Sequence, residues 1–295
     1  MTLVVGKQYL DGLILIAESR ASIKKNGAFI PWRDNTQKIF PLSEDLYLGF
    51  SGDIECAGSI IGFLLQQIAR RPLLGKLHIF YQKAPKLLRY AYKVFSKEAG
   101  EREVGFIMAG LDPQRPEPIK DKGGKITGYV DVYDKKLFKI SFPDEVFEES
   151  IFPQNLSLIM GSGSPAAKEQ ERSLKKISFG PDSLGAYFQA SIMDFVLRKK
   201  IKELGIHSVG GLSQIVIIKP GSSGFLQYRG KSNLEDKNDI LDVELILRDN
   251  RLIQRNLITK KETPLLTPPE VIKIKDPTTD LFADIDSPNY TTSAQ

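Results

Sequence analysis

The chain opens on two apolar runs separated by a turn, and no other stretch constrains its fold as strongly. Leu3-Val4-Val5 begins the first run, Leu13-Ile14-Leu15-Ile16-Ala17 forms the second, and Asp11-Gly12 lies between them. Aspartate and glycine supply the backbone conformations of a tight turn, so the runs are expected to pair as an antiparallel hairpin. A half-exposed strand alternates apolar and polar residues, and these strands do not. They suit a sheet covered on both faces. A hairpin folding about Leu10 pairs residues whose numbers sum to about 20, which sets Glu18 beside Thr2.

The rest of the first two thirds supplies the partners. Residues 37–42 and 46–50 form a second strand pair ending at Ser51-Gly52-Asp53. Residues 22–35, with Asn26-Gly27, Pro31 and Trp32, form a loop or short hairpin extension before Lys38, and Trp32 is expected to anchor packing. Residues 54–71 carry Ile54, Ala57, Ile60, Ile61, Leu64, Leu65 and Ile68 at helical spacing, and Pro72 ends the helix. A second helix spans 77–99, with Leu87, Leu88, Ala91, Val94 and Phe95 facing inward and Pro85 as a point of interruption. Its aromatic residues suit packing better than base stacking. Strands follow at 104–109, 126–132, 137–140 and 156–160, then helices from Ser164-Pro165 and over 183–203, and a buried strand at 211–218. Helices inserted in pairs between antiparallel runs predict an α+β fold: a two-sheet core with helices on both outer faces.

Residues 1–229 are thus expected to form one domain, 230–262 to add a β-hairpin, and the Pro-rich segment 263–295 to be a flexible tail or to drape over a neighbour. Hydrophobic content of 41% and charged content of 26% fit a soluble globular protein. The net charge of +5 is dispersed, which argues for a solvated basic surface and against nucleic-acid binding. One cysteine, Cys56, excludes an internal disulfide, fits a reducing compartment and suits a core position. The two histidines, His78 and His207, lack the neighbours of a zinc site, so neither a metal nor a cofactor is expected. No signal segment and no apolar run of about 18 residues occurs, which predicts a cytoplasmic protein without a membrane partner, losing Met1 alone.

Removal of Met1 makes Thr2 the N-terminal residue, carrying a hydroxyl and a free α-amine. A hydroxyl is a weak nucleophile that needs a base, and an α-amine with a pKa of roughly 7.7–8.0 is partly neutral at physiological pH. Lys38, held charged by Glu18, would lower the pKa of that amine, and the Gly52 N–H could donate to a developing oxyanion.

The order Glu18-Ser19-Arg20-Ala21-Ser22, Lys38 and Ser51-Gly52 resembles the Asp-Ser-Arg-Ala-Thr, Lys and Ser-Gly elements of proteasome β-subunits and their bacterial relatives. Phe106–Asp112 is similar to the family's Ala-Gly-x-Asp strand end, and Gly161-Ser162-Gly163-Ser164 to its Gly-Ser-Gly-Ser turn. The likeness covers roughly residues 2–225. It implies the four-layer αββα sandwich of N-terminal nucleophile (Ntn) hydrolases and a threonine peptidase acting on peptide or unfolded protein. Thr2 is then the nucleophile, Lys38 paired with Glu18 tunes the amine, and Gly52 serves the oxyanion. Ser162 or Ser208 holds a relay water, Arg20 shapes the site and Ser22 binds substrate backbone. The family also implies a homo-oligomeric ring, and nothing in the sequence says whether an ATPase or cap feeds it.

Two positions depart from the family. Glu18 stands where Asp is usual, and Ile206-His207-Ser208-Val209-Gly210-Gly211 lacks the aspartate of eukaryotic-type subunits. The latter stretch is similar to the Ser-Val-Gly of the bacterial ancestral-β-subunit branch, and the simple HslV proteases also lack that aspartate. Two alternatives stay open: a transpeptidase or amidase using the same Thr2, and a non-catalytic assembly subunit.

Overall fold

The computed structural model describes residues 3–9, 11–25, 28–114, 116–121, 123–130, 132–151, 157–175, 185–226, 229–231, 240–249, 251–277 and 281–282. The chain runs through β1 (Leu3–Tyr9), β2 (Gly12–Glu18), β3 (Ala21–Lys25), β4 (Ala28–Arg33), β5 (Ile39–Ser43) and β6 (Leu46–Gly52) into helices α1 (Ile54–Arg70) and α2 (Leu77–Ala99). Next come β7 (Val104–Pro113), β8 (Glu117–Lys120), β9 (Ile126–Val130), β10 (Tyr133–Phe142), β11 (Val146–Glu149) and β12 (Leu158–Gly161). Then follow α3 (Ser164–Lys175), α4 (Ala186–Glu203), β13 (Ser213–Ile218) and β14 (Gly224–Phe225). The C-terminal extension adds β15 (Arg229–Lys231), β16 (Ile240–Arg248), β17 (Arg251–Asn256) and β18 (Glu262–Pro264).

The result is a mixed α+β fold in which helices flank β-sheets. One five-stranded sheet has the order β12-β1-β2-β13-β14 and another the order β11-β10-β7-β6-β5. Side chains alternate along a strand, and the alternation explains the apolar runs at the start of the chain. Val4, Leu13, Leu15 and Ala17 meet Ile39, Tyr47, Ile107 and Leu137 of the second sheet in one buried cluster. Leu3, Val5, Ile14 and Ile16 face the other way and pack against Ala167 of α3 and Ala190, Met193 and Leu197 of α4. On the far side of the second sheet, Leu48, Phe50, Phe106 and Phe138 bury against α1 and α2. Both faces of β1 and β2 are covered, so no polar alternation is selected.

The hairpin forms one step away from its expected register. Val4 pairs with Ala17 and Tyr9 with Gly12, so paired numbers sum to 21 and Gly12 lies inside the strand. Continued by one residue, this register brings Glu18 level with Leu3. Thr2 lies outside the described residues, as does Leu10.

Helix α1 begins where Asp53 accepts hydrogen bonds from the backbone N–H of Glu55 and Cys56. Cys56 is a buried core residue of this helix, and burial pushes its thiol up to about 12. Helix α2 passes through Pro85 without breaking. Ala84, Leu87 and Leu88 on either side are fully buried, and that packing outweighs the hydrogen bond the proline cannot make. Trp32 is 46% exposed on the β3–β4 hairpin, with the Arg33 guanidinium 3.8 Å from its ring, so it does not anchor packing.

Residues 263–277 depart from the expected free tail. Leu265 and Ile274 are buried, the Ile272 N–H donates to Ser59 Oγ of α1, and Asp276 accepts from Gln67 and Arg70. Proline removes helix and strand periodicity from this stretch without removing its apolar side chains, and these fill the outer surface of α1 and α2 as an extended strap. Among the described residues, no helix is long and apolar enough to cross a membrane.

Candidate active site

The strand ends expected to carry chemistry converge at one end of the two sheets. Ser213 at the start of β13 pairs with Glu18 at the end of β2, and Gly161 at the end of β12 pairs with Leu3 at the start of β1. The second sheet approaches from across the core. Val4 packs against Gly49 of β6, and the Phe50 N–H donates to the carbonyl of Lys38. Gly52, two residues on, has φ +104°, and a Cβ there would stand 2.3 Å from the Glu103 carbonyl oxygen, so the turn into α1 requires glycine.

Lys38 is 1% exposed, and its ammonium lies 4.4 Å from the centroid of the Phe50 ring. Among the described residues, no carboxylate stands within ion-pair distance of it. Burial disfavours the charged form and lowers the amine from 10.5 to about 7. The expected Glu18–Lys38 ion pair is therefore absent.

The pleat explains why. Glu18 follows Ile14 and Ile16, whose side chains face α3 and α4, whereas the second sheet lies on the opposite face. Glu18 accordingly meets α4: its Oε1 lies 3.0 Å from Ser213 Oγ and its Oε2 3.9 Å from Arg198 Nη2. Arg198 also pairs with Asp194 at 3.1 Å and donates to Ser213 Oγ at 2.6 Å, and Ser213 Oγ contacts Asp194 Oδ1. A hydroxyl has one hydrogen and can accept two, so the serine accepts from Arg198 and faces both carboxyl groups with a single proton to donate. Burial raises the Glu18 carboxyl above 4.5; Asp194 raises it further, while Arg198, Ser213 and Arg20 act in the opposite direction.

Ser162 and Ser208, each expected to hold a relay water, meet each other, with Ser208 Oγ donating to Ser162 Oγ at 2.9 Å. Arg20 is a clamp inside the protein: Nε and Nη2 grip the two oxygens of Asp34 at 2.6 and 3.0 Å, and Nη1 donates to the His207 carbonyl at 2.9 Å. Ser22, expected to hold substrate, donates its hydroxyl hydrogen to the Ser208 carbonyl at 3.2 Å. Together with Ser19, whose Oγ accepts from the Leu212 N–H at 2.7 Å, these bonds fix the 207–212 loop beside the strand ends.

Sequence reasoning missed Asp34, Asp194, Arg198, Ser213 and Gln214. Asp194 and Arg198 carried a signal, four residues apart on a helix. Gln214 carried another, as a polar residue inside the buried 211–218 run. Its Oε1 accepts from the N–H groups of Lys38 and Ile39 at 2.7 and 3.1 Å, and its Nε2 donates to the Thr36 carbonyl at 2.7 Å. Compared with protein-family models and with curated proteins, the chain matches none.

Proposed function

We propose that this chain is an N-terminal threonine hydrolase of the proteasome type, folded as the αββα sandwich of Ntn hydrolases and cleaving peptide bonds through Thr2 after loss of Met1. The observation that carries this is Lys38: a lysine buried with its ammonium 4.4 Å from the Phe50 ring, without an ion-pair partner among the described residues, its amine lowered by burial to about 7. Burying a lysine without a counter-charge costs stability, and strongly shifted amines of this kind cluster at functional sites.

In the proposed reaction Thr2 Oγ attacks the substrate carbonyl and forms an ester as the C–N bond breaks. The hydroxyl proton passes to a neutral amine, that of Lys38 or the N-terminus, and from there to the leaving amine. Water then hydrolyses the ester by the reverse route. Gly52 is assigned to the oxyanion, and the Ser162–Ser208 pair to a relay water. Glu18 acts at one remove, by fixing the end of β2 against α4. A chamber formed by a homo-oligomeric ring, with or without an ATPase feeding it, belongs to the same proposal.

The test is the intact mass of the purified protein before and after treatment with a peptide epoxyketone. Loss of Met1 with one covalent adduct, absent in Thr2→Ala, is the expected result; Met1 retained with no adduct overturns the proposal. Including a free amine during turnover separates hydrolysis from amide transfer. The Glu18–Arg198–Asp194 cluster favours a second reading, a non-catalytic assembly subunit, because it removes from Lys38 the carboxylate the family pattern provides. Retained Met1 together with ring assembly would select it.

A further inference from the structure

The backbone carrying Lys38 is held from two sides. From the first sheet, the Ser19 carbonyl accepts from the Thr36 N–H at 3.0 Å, and the Gln214 amide spans Thr36, Lys38 and Ile39. β5 is the edge strand of its sheet, so the opposite side of the segment entering it has no strand of that sheet to bond. The C-terminal extension fills this place. The Leu266 N–H donates to the Asn35 carbonyl at 2.8 Å, and its carbonyl accepts from the Gln37 N–H at 2.9 Å, forming a parallel bridge at Thr36. The Gln37 side chain extends the connection, accepting from the Leu252 N–H of β17 at 3.1 Å and donating to the Ile39 carbonyl at 3.1 Å.

Leu266 is in turn held by the strap that follows it. Pro269 crosses α1 so closely that a Cβ on Gly58 would stand 2.3 Å from its carbonyl oxygen. Beyond it, Ile272 bonds Ser59, Ile274 is buried, and Asp276 bonds Gln67 and Arg70.

We propose that the C-terminal extension is a positioning element for Lys38: Leu266 fixes the backbone on which the lysine stands, and the strap across α1 holds Leu266 in place. The extension lies outside the stretch that resembles the proteasome family, so this chain would have added a support to the site of its own. The consequence for function rests on Lys38 being part of the active site. The positioning itself does not, and it can be measured without turnover.

The experiment uses the full chain. Leu266→Pro removes the N–H that bonds Asn35, and Gly58→Ala presses on Pro269 while leaving the helix a better helix former. Modification of Lys38 by an amine-reactive ester is followed by peptide mass spectrometry across pH, with hydrogen exchange of the amides of residues 35–39 in parallel. The native midpoint is expected near 7. In both variants it should move towards 10.5 by about one unit or more, with exchange at least roughly tenfold faster. Should Leu266→Pro fail to fold, Gly58→Ala decides alone. An unchanged midpoint and unchanged exchange in folded variants overturn the proposal. Absence of an epoxyketone adduct on the native chain counts against the peptidase and leaves this result standing.

Discussion

At Lys38 a single residue couples chemistry to stability. Between pH 7 and 10.5 the unfolded chain keeps the lysine protonated while the folded chain releases the proton. The unfolded state then binds more protons, so this group makes stability rise with pH across that window, and its cost is fully present below pH 7. Lys38→Met should remove the rise and, by ending the burial of an amine, stabilise the protein by roughly 1–4 kcal/mol at neutral pH. Urea unfolding at two values inside the window measures both effects. Gain of stability with loss of the epoxyketone adduct would mark a residue kept for chemistry; loss of stability would show that the ammonium has a partner. The lysine itself was legible in the sequence through the family resemblance of Lys38 and Ser51-Gly52, whereas the lack of an ion-pair partner among the described residues was not.

Among the elements, α4 defines the role of Glu18. Arg198 is the cation shared by two buried carboxyl groups, and its removal leaves neither with an ion-pair partner among the described residues, Arg20 acting on Glu18 only from further away. Arg198→Ala is expected to cost about 3–5 kcal/mol. Glu18→Gln in the same chain should recover part of that loss, because the amide carries no charge and can still meet Ser213. Additive losses in a double-mutant cycle would show that the two side chains do not interact. The pH response has the opposite sense to that of Lys38. A carboxyl raised by burial contributes stability that is full below 4.5 and is lost as pH rises through its folded value. Glu18→Gln should flatten stability over that range. The i,i+4 pair on α4 was visible in the sequence, but no local pattern could connect it to a strand so far away in the chain.

For the whole molecule, the extension decides what the outer face of α1 and α2 presents. Ile274 and Phe282 join the cluster formed by these helices, and Leu265 packs with β16 and β17. A chain ending at residue 262 should therefore melt well below the full-length protein and bind a hydrophobic dye, as expected when an apolar surface is uncovered. A melting temperature unchanged by the truncation would show that the strap rests on the helices without supporting them. The same comparison by sedimentation tells whether the covered face takes part in assembly.

Local chemistry fixed a good deal in advance. Paired apolar runs determined that β1 and β2 would be buried on both faces, and helical stripes placed α1 and α2. These depend on turn residues and on periodicity, which act over a few residues. Tertiary structure decided the rest: a hairpin register in which Gly12 stands inside β2 opposite Tyr9, and a Glu18 facing α4 and not the second sheet. It also decided that a proline-rich strap completes the edge beside Lys38. Each of these choices turns on which surface packs against which. A strand's pleat says that Ile14, Ile16 and Glu18 share a face, and only the packed molecule says that Arg198 waits on it.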